Sequence, residues 1–342
     1  MKTASECDYT SLVERLGESN KGPIFYVKPL DELPITIPKK FVVLGGFSGC
    51  FKTTFALNMA YNNAVFLGYN SGFLSLEMEE EEILTRLLCL HSQHEKFGKY
   101  NCIVTLQKIY RKSLTKEEND FLLNIVAPDF KDIVGKIIIS GPGDYQEYIN
   151  GIDSVILTME NKLSQICSNS ELDIFFIDYI QLLSRIYREK YVKTSIKDQF
   201  QIVGQIARSL KWTTQTYGNN RGISIVALSQ LNRASYSAVK ERLKKRNVAP
   251  SEKYDFIYDL TSISESSEIV NASDILLTLY YDENIKKGKE VIFQLLKNRF
   301  GETLEKGERI CALPEIAYIG DYYSRDYYID PDYISNLING KL

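Results

Sequence analysis

The chain has 342 residues, a hydrophobic fraction of 44% and a net charge of −3, with a pI near 5.7. A chain of this length and composition can bury a sizeable core. Its negative net charge excludes a surface that is basic all round, so any contact with nucleic acid must be confined to a local patch. The six cysteines form no C-x-x-C pair, and the sequence has neither a signal peptide nor a long apolar span. We therefore predict a reduced, cytoplasmic protein with no membrane partner.

The first 40 residues are polar and carry prolines just before the first apolar run. They predict an arm or a short helix that leads into the fold. We divide the chain into an N-terminal arm over residues 1–24, one main domain over residues 25–315 and a tyrosine-rich tail over residues 316–342. The paired tyrosines of the tail indicate either a contact with a partner or packing of the tail on its own domain.

A glycine-rich turn joins an apolar strand at residues 41–44 to a helix that begins at Lys52. Such a turn directs consecutive backbone N–H groups and a helix N-terminus at one point, where they can hold phosphate. Lys52 adds a positive charge, and the Thr53 hydroxyl can bind Mg²⁺. Phe51 stands where the G-x-x-x-x-G-K-[ST] motif has its second glycine, so its Cβ can crowd the phosphate or strain the turn; the alternative is an ordinary strand-to-helix turn. The residues predicted to hold the nucleotide are Gly46, Phe47, Ser48, Gly49, Cys50, Phe51, Lys52, Thr53 and Thr54.

Three later apolar strands each end in a polar side chain: Glu77, Asp178 and Gln230. Because ligands bind at the carboxyl ends of strands in open α/β sheets, we expect all three beside Lys52. Glu77 can orient an attacking water there, Asp178 can hold Mg²⁺, and Gln230 can hydrogen-bond a terminal phosphate. The alternatives are a helix cap at Glu77 and a plain polar strand end at Gln230.

The two histidines, His91 and His94, have H-x-x-H spacing. No nearby cysteine or carboxylate completes a set of metal ligands, so we predict a solvated helix face. The remaining pattern predicts a strand over residues 136–140 and helices over residues 148–163 and 199–217.

Positive charge is concentrated after the Gln230 strand, where seven lysines and arginines face two glutamates over residues 232–253. As a loop this segment could line a channel and neutralise DNA phosphates, with binding that weakens steeply as salt rises. The alternative is a solvated surface. The candidate DNA-binding residues here are Arg233, Lys240, Arg242, Lys244, Lys245 and Arg246.

Five motifs, in order and at matching spacing, resemble the DnaB family of replicative DNA helicases. They lie at residues 75–78, 177–183, 227–233, 269–274 and 297–301. The resemblance covers roughly residues 25–315 and implies an α/β, RecA-like P-loop NTPase whose central, mostly parallel sheet is flanked by helices. It also implies ATP and Mg²⁺ as cofactors and a homo-oligomeric ring, taken as hexameric, that moves along single-stranded DNA.

The same resemblance implies roles for individual residues. Glu77 is similar to the family's catalytic base, and Lys297 and Arg299 to the pair that reaches the neighbouring subunit's nucleotide. Such a pair would supply the added positive charge that phosphoryl transfer needs at the γ-phosphate. The alternative is that Lys297 and Arg299 are solvated charges at a strand end. A second DNA-facing loop is implied at Ser264, Glu265 and Ser267, where Ser264 and Ser267 replace the family's usual arginine and glycine.

The function that we predict is an ATP-dependent DNA helicase or translocase that acts in replication or a related DNA transaction. The alternative is a nucleotide-gated oligomer that binds DNA or recruits a partner and hydrolyses little ATP by itself. Phe51 favours the alternative, as does the short arm, which stands where the family carries a large N-terminal domain. A protein partner could supply that domain.

Overall fold

The computed structural model describes residues 22–33, 37–144, 150–166, 168–191, 199–231, 233–245, 254–260 and 267–322. The strands of these segments form one sheet in the order β3-β2-β4-β5-β1-β6-β7-β8-β9. Strands β1 to β6 pair in parallel, and β7, β8 and β9 add antiparallel strands along one side. Their bounds are β1 Phe41–Gly46, β2 Ser71–Ser75, β3 Ile137–Ser140, β4 Ile174–Asp178, β5 Ser224–Gln230, β6 Ile275–Tyr280, β7 Glu290–Asn298, β8 Leu304–Leu313 and β9 Tyr318–Gly320.

Helices connect the parallel strands and cover the sheet. Their bounds are α1 Lys28–Asp31, α2 Lys52–Val65, α3 Glu80–His91, α4 Leu106–Tyr110, α5 Lys116–Phe121, α6 Ala127–Ile133, α7 Ile152–Leu163, α8 Ile180–Tyr191, α9 Gln199–Asn220, α10 Arg233–Lys245, α11 Ser267–Ala272 and α12 Glu283–Lys287. None of the helices in the described segments is long and apolar enough to cross a membrane.

The core lies on the sheet, and its central strands are buried along their whole length. Strands β1, β2, β4 and β6 are buried at every position, as expected for parallel strands that are covered on both faces. Large side chains that are less than 2% exposed, such as Phe73, Phe175 and Tyr61, fill the space between the sheet and its helices. The predicted α/β class with a mostly parallel sheet is confirmed.

The C-terminal end of the described chain adds a strand to this sheet. Strand β9, at Tyr318–Gly320, pairs with β8 and lies within the segment that we predicted as a tail. The buried Asn58 amide of α2 holds it, donating to the Ala317 carbonyl at 2.7 Å and accepting from the Ile319 N–H at 3.2 Å. The sheet therefore continues past residue 315. The paired tyrosines beyond Tyr322 and the arm over residues 1–21 lie outside the described residues.

Two sequence predictions about local structure were wrong. His91 is not on a solvated helix face: it is fully buried, with the Tyr61 hydroxyl at its Nδ1 and the Asp129 carboxylate 2.7 Å from its Nε2. The part of the predicted basic loop that the structure describes, residues 233–245, forms helix α10, because Val239 and Leu243, four residues apart, are buried against the domain.

The first testable prediction concerns His91 and acid. Burial lowers the pKa of His91 to about 4, while the unfolded chain takes up a proton near pH 6.5. Between these values the unfolded state binds more protons at this residue, so the contribution of His91 to the free energy of unfolding should fall as pH is lowered, by about 3 kcal/mol in total. Urea unfolding from pH 8 to pH 4 measures it.

The matched control is His91→Gln, which can still accept and donate hydrogen bonds but does not titrate. Burial raises the pKa of Asp31 to about 7, which changes stability in the opposite sense over the same range and is common to both chains. The difference between the two unfolding curves should therefore grow as pH falls below 6.5. Curves that stay parallel down to pH 4 would contradict the assignment.

Candidate nucleotide-binding site

A cavity of about 480 Å³ opens at the carboxyl edge of the parallel strands. Strand register brings its walls together, because Gly46 of β1 lies beside Gln230 of β5, and Ser75 of β2 lies beside Asp178 of β4. A volume of this size suits a small-molecule ligand. The residues that line it are Ser48, Gly49, Phe51, Lys52, Thr53, Thr54, Glu77, Met78, Glu82, Arg86, Asp178, Tyr179 and Gln230.

The glycine-rich loop between β1 and α2 has the tight turn that its sequence predicts. A Cβ on Gly46 would stand 2.9 Å from the Leu279 carbonyl oxygen, so only glycine fits there without a shift. The Lys52 side chain is 7% exposed, and its Nζ donates to the carbonyls of Gly46 at 2.9 Å and Phe47 at 2.8 Å. Burial lowers the pKa of Lys52. Its charge therefore lies within the loop, at the start of a 14-residue helix.

Thr53 and Asp178 both line the cavity and contact each other. The Thr53 hydroxyl donates to Asp178 Oδ2 at 2.6 Å, and the Asp178 carboxylate is 3% exposed. Burial raises the pKa of Asp178 to about 6, against the Thr53 hydrogen bond and the charge of Lys52. A hydroxyl and a carboxylate oxygen are ligands that Mg²⁺ prefers, so the pair fits the ion that the sequence predicts here.

Three further charged side chains line the cavity: Glu77, Glu82 and Arg86. Glu77 is exposed and lines the cavity two residues after β2 ends. Sequence reasoning missed Arg86 of α3, whose Nη2 lies 3.0 Å from Glu82 Oε1. Its Nε is buried and has no hydrogen-bond partner in the described structure. The four-residue spacing of Glu82 and Arg86 on a helix that starts beside Glu77 was the available signal.

Phe51 adopts the left-handed backbone conformation, with φ 59° and ψ 25°. This is the conformation that the motif's glycine adopts without steric cost. The Phe51 ring packs edge-on against Tyr281, with 4.5 Å between ring centroids. The loop thus keeps the turn of the glycine motif although Phe51 carries a side chain, and that side chain packs against Tyr281.

Lys297 and Arg299 lie at the other edge of the sheet. Strand β7 is antiparallel to β6 and pairs Lys297 with Leu276, near the start of β6. Lys297 Nζ donates to the carbonyls of Val270, Asn271 and Ser273, and burial lowers the pKa of Lys297 to about 8. Arg299 Nη2 donates to the Asn271 carbonyl at 2.6 Å, and its side chain is 45% exposed. The structure therefore does not bring this pair to the chain's own cavity.

The candidate DNA-binding residues are only partly described. On α10, Lys240 and Lys244 are exposed, Arg242 pairs with Asp259 at 3.0 Å, and Lys245 pairs with Glu241. Arg233 begins this helix, and Ser267 begins α11. Arg246, Ser264 and Glu265 lie outside the described residues.

The parallel sheet, the glycine-rich loop and the carboxylates at its edge define a phosphate-loop nucleotide-binding domain. Within that class, the chain belongs to the DnaB-like helicase C-terminal domain family, whose model matches residues 29–307. The family resemblance that the motifs predicted is confirmed.

Individual relatives agree with this assignment. The replicative DNA helicase DnaB of Geobacillus stearothermophilus is 27% identical over 240 residues, which cover 70% of this chain and 42% of that protein. The chain thus spans less than half the length of that curated relative. Among solved structures, one described as an ATPase domain superposes with a TM-score of 0.67 at 19% identity, covering 92% of this chain and 97% of that one. A second structure, of a DnaB-like replicative helicase described with its interactions with primase, superposes with a TM-score of 0.66 at 18% identity. The match covers 94% of this chain and 68% of that one.

The second testable prediction concerns the backbone at Phe51. Phe51→Gly and Phe51→Ala both remove the ring contact with Tyr281, but only glycine is free of the left-handed penalty. We expect Phe51→Gly to be more stable than Phe51→Ala by about 1 kcal/mol. Urea unfolding of the two variants measures the difference. Equal stabilities would show that the loop does not keep this conformation in solution.

Proposed function

We propose that the chain is an ATP-dependent motor of the DnaB type, which assembles as a ring and couples ATP hydrolysis to movement along single-stranded DNA or to its unwinding. The observation that carries the proposal is that Lys52, Thr53, Glu77, Asp178 and Gln230 line one cavity. Family membership supports it, while the activity of the chain itself is our inference.

Each residue of the cavity has a chemical task in this proposal. Lys52 and the loop N–H groups bind the nucleotide phosphates, and Gln230 contacts the terminal phosphate. Thr53 and Asp178 hold Mg²⁺, which supplies charge neutralisation when bound. Glu77 orients the attacking water and accepts its proton, a role that suits an exposed carboxylate on the cavity wall.

Lys297 and Arg299 act in this proposal on the nucleotide of a neighbouring subunit. They lie at the sheet edge opposite Lys52, so they cannot reach the nucleotide of their own chain. An arginine supplied across an interface raises phosphoryl-transfer rates by about 10³ to 10⁵ in other systems. Hydrolysis would then require assembly, in a ring that we take to be hexameric.

DNA contact is proposed for α10, which begins three residues after Gln230. A helix that carries exposed Lys240 and Lys244 can neutralise phosphates without reading bases. Because one similar structure is described with its interactions with primase, we also expect this chain to bind a protein partner.

The second candidate function is a nucleotide-gated assembly with little hydrolysis. One observation favours it: Phe51 occupies the glycine position of the phosphate loop and lines the cavity. The hydrolysis assay below separates the two.

The third testable prediction concerns hydrolysis. ATP turnover should be stimulated by single-stranded DNA and should be lost in Lys52→Ala. Glu77→Gln should lose about 10²-fold or more in kcat while it still binds nucleotide, because only proton transfer and water orientation are removed. Phosphate release at saturating ATP, with and without DNA, measures both.

Glu81→Gln is the matched control, because Glu81 is an exposed carboxylate in the first turn of α3. It should retain native turnover. If the native chain binds ATP yet releases no phosphate with or without DNA, the motor proposal fails and the nucleotide-gated assembly takes its place.

The fourth testable prediction concerns DNA binding. Replacing Lys240 and Lys244 by alanine should weaken binding to single-stranded DNA for all sequences alike. It should also reduce the slope of log K against log salt by about 0.7 for each lost phosphate contact. Fluorescence anisotropy across a salt series measures the slope. Lys112→Ala with Lys116→Ala is the control, since both lysines are exposed and lie more than 100 residues before α10 in the sequence. An equal loss in that control would contradict the proposal.

A further inference from the structure

Gln181, in the first turn of α8, binds the end of β5 through both polar atoms of its side-chain amide. Its Nε2 donates to the Ser229 hydroxyl and to the Gln230 carbonyl, each at 3.0 Å. Its Oε1 accepts from the Gln230 N–H at 3.2 Å. The amide therefore holds the backbone of Gln230 on both its donor and its acceptor.

The strand ladder explains why such a contact is needed. Strand β5 is paired with β1 along its whole length, up to Gly46 beside Gln230. Its pairing with β4 ends at Ala227, which lies opposite Ile177. The last residues of β5 thus extend beyond the ladder on the β4 side. There the Gln181 amide takes the place of the missing backbone partners, which a half-buried polar backbone requires.

Gln181 lies between two parts of the nucleotide site without lining the cavity itself. It follows Asp178 by three residues, on the helix that continues from β4. On the other side of β5, the Leu231 N–H donates to the Gly46 carbonyl at 3.2 Å, which joins the strand end to the phosphate loop. Gln230 is therefore held between the strand of Asp178 and the loop of Lys52.

We propose that Gln181 is a positioning residue, which keeps Gln230 in place to contact the terminal phosphate. The inference rests on the proposed function and adds a residue and a coupling that the cavity alone does not reveal. A displacement of about 1 Å at such a position can cost about 10²-fold in rate, which is the scale of effect to expect when the amide is lost.

The experiment compares Gln181→Met, Gln181→Glu and Gln230→Ala with the native chain. Methionine has a similar length but cannot make the hydrogen bonds, whereas glutamate keeps the acceptor for the Gln230 N–H. Gln215→Met is the control for an exposed glutamine on α9. The readouts are kcat and KM for ATP, and the ratio of two binding affinities. These are the affinity of the chain for the Mg²⁺ complex of AMP-PNP and its affinity for the Mg²⁺ complex of ADP.

We expect Gln181→Met to lower kcat about tenfold to 10²-fold with KM nearly unchanged, and Gln181→Glu to lower it less. Added to Gln230→Ala, Gln181→Met should cause no further loss, because it acts only through Gln230. Both single variants should lose the preference for AMP-PNP over ADP to the same extent.

Fold-losses that multiply in the double variant, or a raised KM with kcat retained, would overturn the inference. If Gln181→Met does not fold, Gln181→Glu is tested in its place, alone and combined with Gln230→Ala, and its kcat and KM are judged in the same way. If the native chain hydrolyses no ATP, the proposed function fails instead. The affinity ratio then still tests Gln181, because it needs no hydrolysis.

Discussion

Parallel pairing of β1 with β5, and of β2 with β4, is the constraint on which the rest of the molecule depends. In parallel strands all carboxyl ends lie at one edge, so the register that sets Gly46 beside Gln230 also gathers Lys52, Glu77 and Asp178 there. The burial of these strands on both faces stabilises the arrangement.

The antiparallel strand β7 has the opposite consequence. Its carboxyl end reaches the start of β6, at the other edge of the sheet, where the buried Asp274 carboxylate organises a group of cations. Asp274 Oδ2 accepts from Lys211 at 2.6 Å and from the Phe41 N–H at 2.9 Å, and its Oδ1 lies 3.9 Å from Arg299 Nε. Such a carboxylate is tolerated in the interior only with partners of this kind. The two edges thus carry complementary halves of the proposed catalytic machinery, and one subunit could supply each half.

The sequence predicted the sheet and the cavity better than it predicted the contacts around them. Strand ends are readable because an apolar run that stops at Asp178 or Gln230 has few other interpretations. The amide of Gln181 was missed because its partners lie 48 and 49 residues away, and only the tertiary structure shows where the β4 ladder ends. The burial of His91 was missed for a similar reason, since Tyr61 and Asp129 come from other helices. In α10 the apolar positions Val239 and Leu243 have helical spacing, but the surrounding lysines and arginines are equally compatible with a solvated loop.

The central claim is that two subunits complete each catalytic site, and subunit mixing tests it most directly. Lys52→Ala chains lack the phosphate-binding charge but keep Arg299, whereas Arg299→Ala chains keep Lys52. Each alone should hydrolyse no ATP. When they are mixed, some interfaces carry an intact Lys52 and an intact Arg299, so hydrolysis should reappear, whereas a mixture of Lys52→Ala chains with chains that carry both substitutions should stay inactive. A mixture of the two single variants that remains as inactive as its components, in rings shown to contain both, would contradict the account.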